Sequence, residues 1–187
     1  SRIEKMSALL DLCGRLLRVE RVSVWKLTDS GDAINLECLN TLSDGIFTDE
    51  TILSREQNPR YFEAMLTAEV IDARHAPTDP RTRQFNDLYL QPLGIKSMLD
   101  APVFDGGNLS GVICLEATSH RSWTLPEISI VTVVADTISL INSYEAWHTS
   151  QQALDFISHY DELTGLPNLR AFRKHLEYLC KTEKTTP

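Results

Sequence analysis

Basic residues are few in this sequence. The 187-residue chain carries 18 Lys and Arg against 26 Asp and Glu, a formal net charge of -8. Nucleic-acid binding needs clustered Lys and Arg to neutralise phosphates, so the balance argues against that class of partner. Much of the excess lies between Asp29 and Glu56, where seven acids meet one base, Arg55. A solvated acidic face accounts for it. Cysteine is also sparse. Cys13, Cys38, Cys114 and Cys180 include no C-x-x-C pair, and two lie in apolar runs. Packed thiols in a reduced, cytoplasmic protein are expected rather than a disulfide framework. The five His and four Cys show no metal-ligand spacing, which predicts no structural zinc. There is no run of about 18 apolar residues and no signal peptide, so no membrane segment is expected. The chain opens on Ser1 rather than Met, as a piece excised from a longer protein would.

What is present is a 42% hydrophobic share, enough for the core of one domain of about 150 residues with a tail. Residues 2–18 read as a helix, with Ile3, Met6, Leu9, Leu10, Cys13, Leu16 and Leu17 at three- and four-residue steps. Val19 to Leu27 reads as a strand with Val22 and Val24 on one face and Ser23, Trp25 and Leu27 on the other. Asp29-Ser30-Gly31-Asp32 is a turn signal, and Ala33 to Asn40 returns as the partner strand. Residues 41–57 predict no regular structure. Pro59 to Ala68 predicts a short helix, Glu69 to Ala73 a short strand, and Arg81 to Leu90 another short helix ended by Pro92 and Gly94. Ile95 to Phe104 and Leu109 to Thr118 form the strongest hairpin signal, around Asp105-Gly106-Gly107-Asn108.

Thr124 then opens a long helix, with Glu127 three residues on as a capping box. The helix is expected from about Leu125 to His159, roughly 50 Å at about 1.5 Å per residue, so its second half should project from the domain. On it Val133, Thr137, Leu140, Tyr144, Trp147, Gln151, Leu154 and Ser158 alternate four- and three-residue steps, a heptad seam. A second line, Val134, Ile138 and Ile141, should face the sheet or the first helix. The seam predicts a parallel homodimer through the terminal helices, with Leu140, Tyr144, Trp147, Gln151 and Leu154 as the signalling contact. An ordinary helix folding back on its own chain is the alternative.

The architecture expected is α+β: an antiparallel sheet with terminal helices on one face and a loop and short-helix lid on the other. Arg21-Val22-Ser23-Val24-Trp25, Gly94 to Val103, Gly111-Val112-Ile113-Cys114-Leu115-Glu116 and Arg121-Ser122-Trp123 resemble a GAF domain, over roughly residues 5–145. After the long helix, Asp161-Glu162-Leu163-Thr164-Gly165-Leu166-Pro167-Asn168 resembles the opening of the GGDEF domain of bacterial diguanylate cyclases. Leu169 departs from the Arg most often found there. Only 27 residues follow position 160, too few for a domain. The expected organisation is therefore a GAF-like domain over 1–150, a helical linker over 151–160 and the truncated start of a GGDEF domain over 161–187. The resemblance implies a sensory module that controls cyclic-di-GMP synthesis, with GTP a substrate only of the missing catalytic part. The fragment itself is not expected to be an enzyme.

GAF domains often hold a small molecule between sheet and lid. If the hairpin loop has three central residues, Met98, Asp100, Cys114 and Glu116 share a face; two would flip one strand against the other. Asp100 and Glu116 would be carboxylates in apolar strands, and buried charges need partners. Arg74 and His75 are the candidates. Tyr61, Phe62, Phe85 and Tyr89 would form an aromatic cover, and Ser23 and Trp25 the floor. The same residues would serve equally as a packed core with nothing bound, in a structural dimerisation module. Bilin is disfavoured because Cys114 is followed by Leu115 rather than His, and haem because His75 is a lone candidate axial ligand. A third reading is thiol reduction of methionine sulfoxide. It needs a low-pKa Cys, and Cys38 and Cys114 lack flanking basic residues. The identity of any ligand stays open.

Overall fold

The computed structural model describes residues 2–42, 45–47, 51–161 and 163–183. The chain separates into two compact units, residues 1–141 and 142–187. The first begins with α1 (Arg2–Leu17), followed by strands β1 (Arg21–Leu27) and β2 (Ala33–Thr41). Two short strands, β3 (Gly45–Phe47) and β4 (Ile52–Ser54), come next, then α2 (Pro59–Leu66) and β5 (Ile71–Ala73). A 3₁₀ turn (Arg83–Phe85) and a π-type turn (Asn86–Leu90) precede the hairpin β6 (Ser97–Asp105) and β7 (Asn108–Ala117), and α3 (Leu125–His159) follows.

The sheet runs in the order β3-β2-β1-β7-β6-β5, with β4 also paired to β2, and its ladders are antiparallel. Alternation along the strands divides the core in two. On one face Val22, Val24, Leu99, Ile113 and Leu115 pack with Met6, Leu10 and Cys13 of α1 and with Val131, Val134 and Ile138 of α3. On the other face Trp25, Ile34, Met98, Val112 and Cys114 pack with Tyr61, Phe62 and Met65 of α2 and with Phe85, Tyr89 and Leu90. This second layer is the lid.

Two segments differ from the sequence expectation. Residues 41–57 contain β3 and β4, three-residue strands whose ladders depend on the long β2 rather than on any period of their own. Ser43, Asp44 and Thr48 to Glu50 of the acidic stretch lie outside the described residues. The helix expected from Arg81 starts at Arg83 and is not α-helical. Asp79 takes over the start of the segment: its side chain accepts from the Arg81 amide (2.9 Å) and its carbonyl from the Arg83 amide (2.8 Å). The Gln91 amide then reaches back five residues to the Asn86 carbonyl (2.8 Å), widening the second turn.

The β6–β7 hairpin closes on the two residues Gly106 and Gly107, both at positive φ (55° and 85°), the requirement of a type I′ turn. Phe104 pairs with Leu109, but Val103 pairs with Gly111, so Ser110 is an extra residue that bulges from β7. The bulge restores the register that a three-residue loop would have produced. Met98 opposes Glu116 and Asp100 opposes Cys114.

The capping box forms as the spacing predicts. The Thr124 amide donates to Glu127 Oε2 (2.7 Å) and the Glu127 amide to Thr124 Oγ1 (3.4 Å). α3 is one helix of 35 residues. By length and average composition it is apolar enough to cross a membrane, although it holds no unbroken run of about 18 apolar residues. Val131, Val134, Ala135 and Ile138 of this helix are buried in the domain core.

The second unit joins the end of α3 to α4 (Leu169–Glu183) through the turn that resembles a GGDEF opening. Asp161 organises it: Oδ1 accepts from the Thr164 amide (2.9 Å) and Oγ1 (2.8 Å). Gly165 takes the positive φ (66°) at which the chain reverses. Asn168 caps α4 by accepting from the Ala171 amide (2.9 Å), and its own side-chain amide donates to the Ser158 carbonyl (2.9 Å). Glu162 lies outside the described residues.

Candidate functional site

The restored hairpin register puts Met98, Asp100, Cys114 and Glu116 under the lid. Asp100 is fully buried and Glu116 is 1% exposed. Tyr61, from α2, donates its hydroxyl to Asp100 Oδ2 at 2.8 Å and lies 3.5 Å from Cys114 Sγ. Arg21 of β1 donates Nε to Glu116 Oε2 at 2.9 Å. Tyr89 lines the same small cavity as Glu116. The floor is formed as expected: Trp25 Nε1 donates to Ser23 Oγ (2.9 Å). Tyr61 meets Phe85 edge to face with centroids 4.7 Å apart, Trp25 meets Tyr89 at 5.9 Å, and Phe62 packs beside Tyr61 at 6.2 Å.

The expected counter-cations are not there. Arg74 and His75 are both exposed, and His75 pairs with His120 instead. Arg21 takes the role because it stands directly opposite Glu116 in the β1–β7 ladder. That pairing depends on long-range register, so no local pattern in the sequence could disclose it. Arg81, at the lid margin, is occupied by Asp79, Asp72 and Glu69.

Burial governs the protonation of this cluster. Desolvation holds the Asp100 carboxyl well above the usual carboxylate range against the lowering effect of Tyr61, and the Glu116 charge adds to the rise. Glu116 is raised as well, by desolvation, although Arg21 opposes the rise. The Cys114 thiol is pushed up by burial and by both carboxylates, Cys13 is pushed up by burial to about 11, and Cys38 is also raised by burial. These are shielded, protonated thiols, the reverse of what thiol-based reduction needs.

Between Trp25, Tyr61, Phe85, Tyr89, Met98, Cys114 and Glu116 remains a cavity of about 10 Å³. That is room for about one water molecule. Asp100 Oδ1 and Glu116 Oε1 are buried with no hydrogen-bond partner. Among the described residues no group of three or more His, Cys, Asp or Glu is arranged to hold a metal ion. On α3, Leu140 (71% exposed), Tyr144, Trp147 (58% exposed) and Leu154 are exposed apolar side chains, and Gln151 is exposed with them.

The fold has many solved counterparts. GAF3 from Slr1393 of Synechocystis sp. PCC6803, in its photoproduct state, superimposes with a TM-score of 0.68 at 16% identity, covering 81% of this chain and 99% of that one. The PixJ GAF domain of Thermosynechococcus elongatus, in its blue-light absorbing form, gives 0.68 at 17%, covering 86% and 95%. The GAF domain from an Acinetobacter phosphoenolpyruvate-protein phosphotransferase gives 0.63 at 12%, covering 77% and 83%. At these identities the likeness is one of fold. No curated protein sequence matches the chain. Residues 1–141 match the family model of the GAF domain, and the chain belongs to the GAF family.

Proposed function

We propose that this chain is the sensory and regulatory module of a bacterial diguanylate cyclase, controlling cyclic-di-GMP synthesis through a dimeric signalling helix. A GAF domain is a non-catalytic sensory module, so the output must be carried elsewhere. The observation that carries the reading is the segment Asp161 to Asn168, which follows a helix that begins in the GAF domain itself. Its residues do what such a junction requires: Asp161 and Gly165 reverse the chain and Asn168 starts a new helix. The exposed line Leu140, Tyr144, Trp147 and Leu154 supports pairing of two copies along α3. Two cyclase domains must face each other to condense two GTP molecules, so a shift in this pairing would set the output.

The test joins this chain, at the end of α4, to the remainder of a GGDEF domain and measures cyclic-di-GMP formation from GTP. The reading predicts that substitutions in the GAF core change the rate. A rate indifferent to removal of residues 1–141 would overturn it.

In this reading the sensed molecule is a small polar group that accepts from the protonated Asp100 and donates to Glu116 under the lid. Their two unpartnered oxygens support it, because a buried polar group left unpaired costs about 1–3 kcal/mol. With about 10 Å³ free, binding requires Tyr61 and Phe85 to move with the lid. No bilin is needed: Cys114 lies within β7, packed against Tyr61. The small cavity favours a second reading, a ligand-free dimerisation module. Native mass spectrometry of the purified chain separates the two: added mass on the dimer supports the sensor, a bare dimer the scaffold.

A further inference from the structure

His75 follows β5, and His120 follows β7. They are 45 residues apart, yet their Nδ1 atoms lie 3.1 Å from each other and their ring centroids 4.6 Å apart. Both side chains are exposed. The approach is built from below. Ser97 is fully buried, and its hydroxyl oxygen lies 2.7 Å from the Arg74 carbonyl and 3.1 Å from the Ser119 carbonyl. It also accepts from the Arg121 amide at 3.0 Å. One buried hydroxyl therefore fixes the residue before each histidine. Arg121, the neighbouring cation, is turned away: it donates to the Leu17 and Arg18 carbonyls and pairs with Glu127.

From this geometry we infer that His75 and His120 form a two-histidine site for a divalent transition-metal ion such as Zn²⁺. Two imidazole nitrogens bound to one tetrahedral Zn²⁺ stand roughly 3.3 Å apart, given Zn–N bonds of about 2.0–2.1 Å. The observed separation already meets that requirement. Without the ion the two Nδ1 atoms share a hydrogen bond, one ring donating and the other accepting. Binding moves that ring's proton to Nε2, so that both Nδ1 lone pairs face the ion, and imidazole is a ligand that late first-row metals prefer. No third His, Cys, Asp or Glu joins the pair among the described residues, so water completes the coordination at this exposed position. The bound ion would tie the segment that follows β5, which leads on to Phe85 and Tyr89 of the lid, to the segment that follows β7.

The test is calorimetric titration of the whole chain with ZnCl₂, in the wild type, in His75→Asn, in His120→Asn and in a triple variant, H148N/H159N/H175N. The expected result is one ion per chain, affinity reduced at least tenfold in each of the first two variants, and affinity unchanged in the triple variant. The first two replace exposed side chains, and circular dichroism checks that they fold. No binding by the wild type would overturn the inference. So would an affinity equal to the wild type's in His75→Asn or in His120→Asn, or a loss confined to the triple variant.

Discussion

Arg21 and Glu116 stand opposite each other on β1 and β7, and Arg21 Nε reaches Glu116 Oε2 at 2.9 Å with Glu116 almost wholly buried. This pair anchors the polar cluster under the lid. A buried carboxylate deprived of its cation is strongly destabilising, because its desolvation is no longer offset. Arg21→Ala is expected to lower the unfolding free energy by about 3 kcal/mol near neutral pH. The loss should shrink in acid, where Glu116 takes up a proton. Urea unfolding at the two pH values measures it. An equal loss at both would mean that Arg21 acts through packing alone.

Asp100 makes a distinct prediction about pH. Its folded-state pKa is raised, chiefly by desolvation. Between the unfolded value of about 3.9 and the raised folded value, the native state keeps the proton that the unfolded state has lost. Stability therefore falls as pH rises through that window. Asp100→Asn removes this contribution, so its melting temperature should decline less than the wild type's between about pH 5 and about pH 8. Parallel thermal profiles would show that Asp100 ionises freely in the folded protein. The other titratable groups around it, Tyr61, Cys114 and Glu116, are common to both proteins.

Gly111 tests the close approach of β1 to β7. A Cβ there would lie 2.3 Å from the Trp25 carbonyl oxygen, a main-chain atom with no means of yielding. Gly111→Ala should cost about 2–3 kcal/mol by overpacking and displace the Trp25 floor. Unfolding by denaturant, with tryptophan fluorescence as the probe, reads both effects. A change below about 0.5 kcal/mol would mean that the two strands separate easily.

The proposed helix dimer predicts a separation of assembly from folding. Trp147 and Leu154 are exposed, so charges placed there should leave the domain intact. W147E/L154E is expected to sediment as a monomer while the wild type sediments as a dimer, with the thermal unfolding of residues 1–141 unchanged. A wild type that is monomeric at high concentration would remove the seam from the mechanism.

Much of the fold was legible in the chain. The period-two alternation of Val22 to Leu27 assigned its faces, and the spacing of Met6, Leu10, Cys13 and Leu17 on α1 and of Val134 and Ile138 on α3 assigned theirs, because one buried face repeats at the element's own period. Thr124 with Glu127, and Gly165 with Asn168, marked helix ends by local hydrogen bonding alone. Three-residue strands such as β3 and β4 were not legible, since no period can show in three residues.

The sequence by itself determined which residues are apolar, where the long helix α3 and the terminal helix α4 start, and that two carboxylates stand in apolar strands. Only the tertiary structure decided what those carboxylates meet. The Ser110 bulge, invisible to any periodicity, set the face on which Asp100 and Glu116 lie. The pairing of β1 with β7 supplied Arg21 rather than Arg74 or His75. The same assembly left His75 and His120 side by side. Contacts between residues distant in the chain depend on register and packing, and those are properties of the whole sheet.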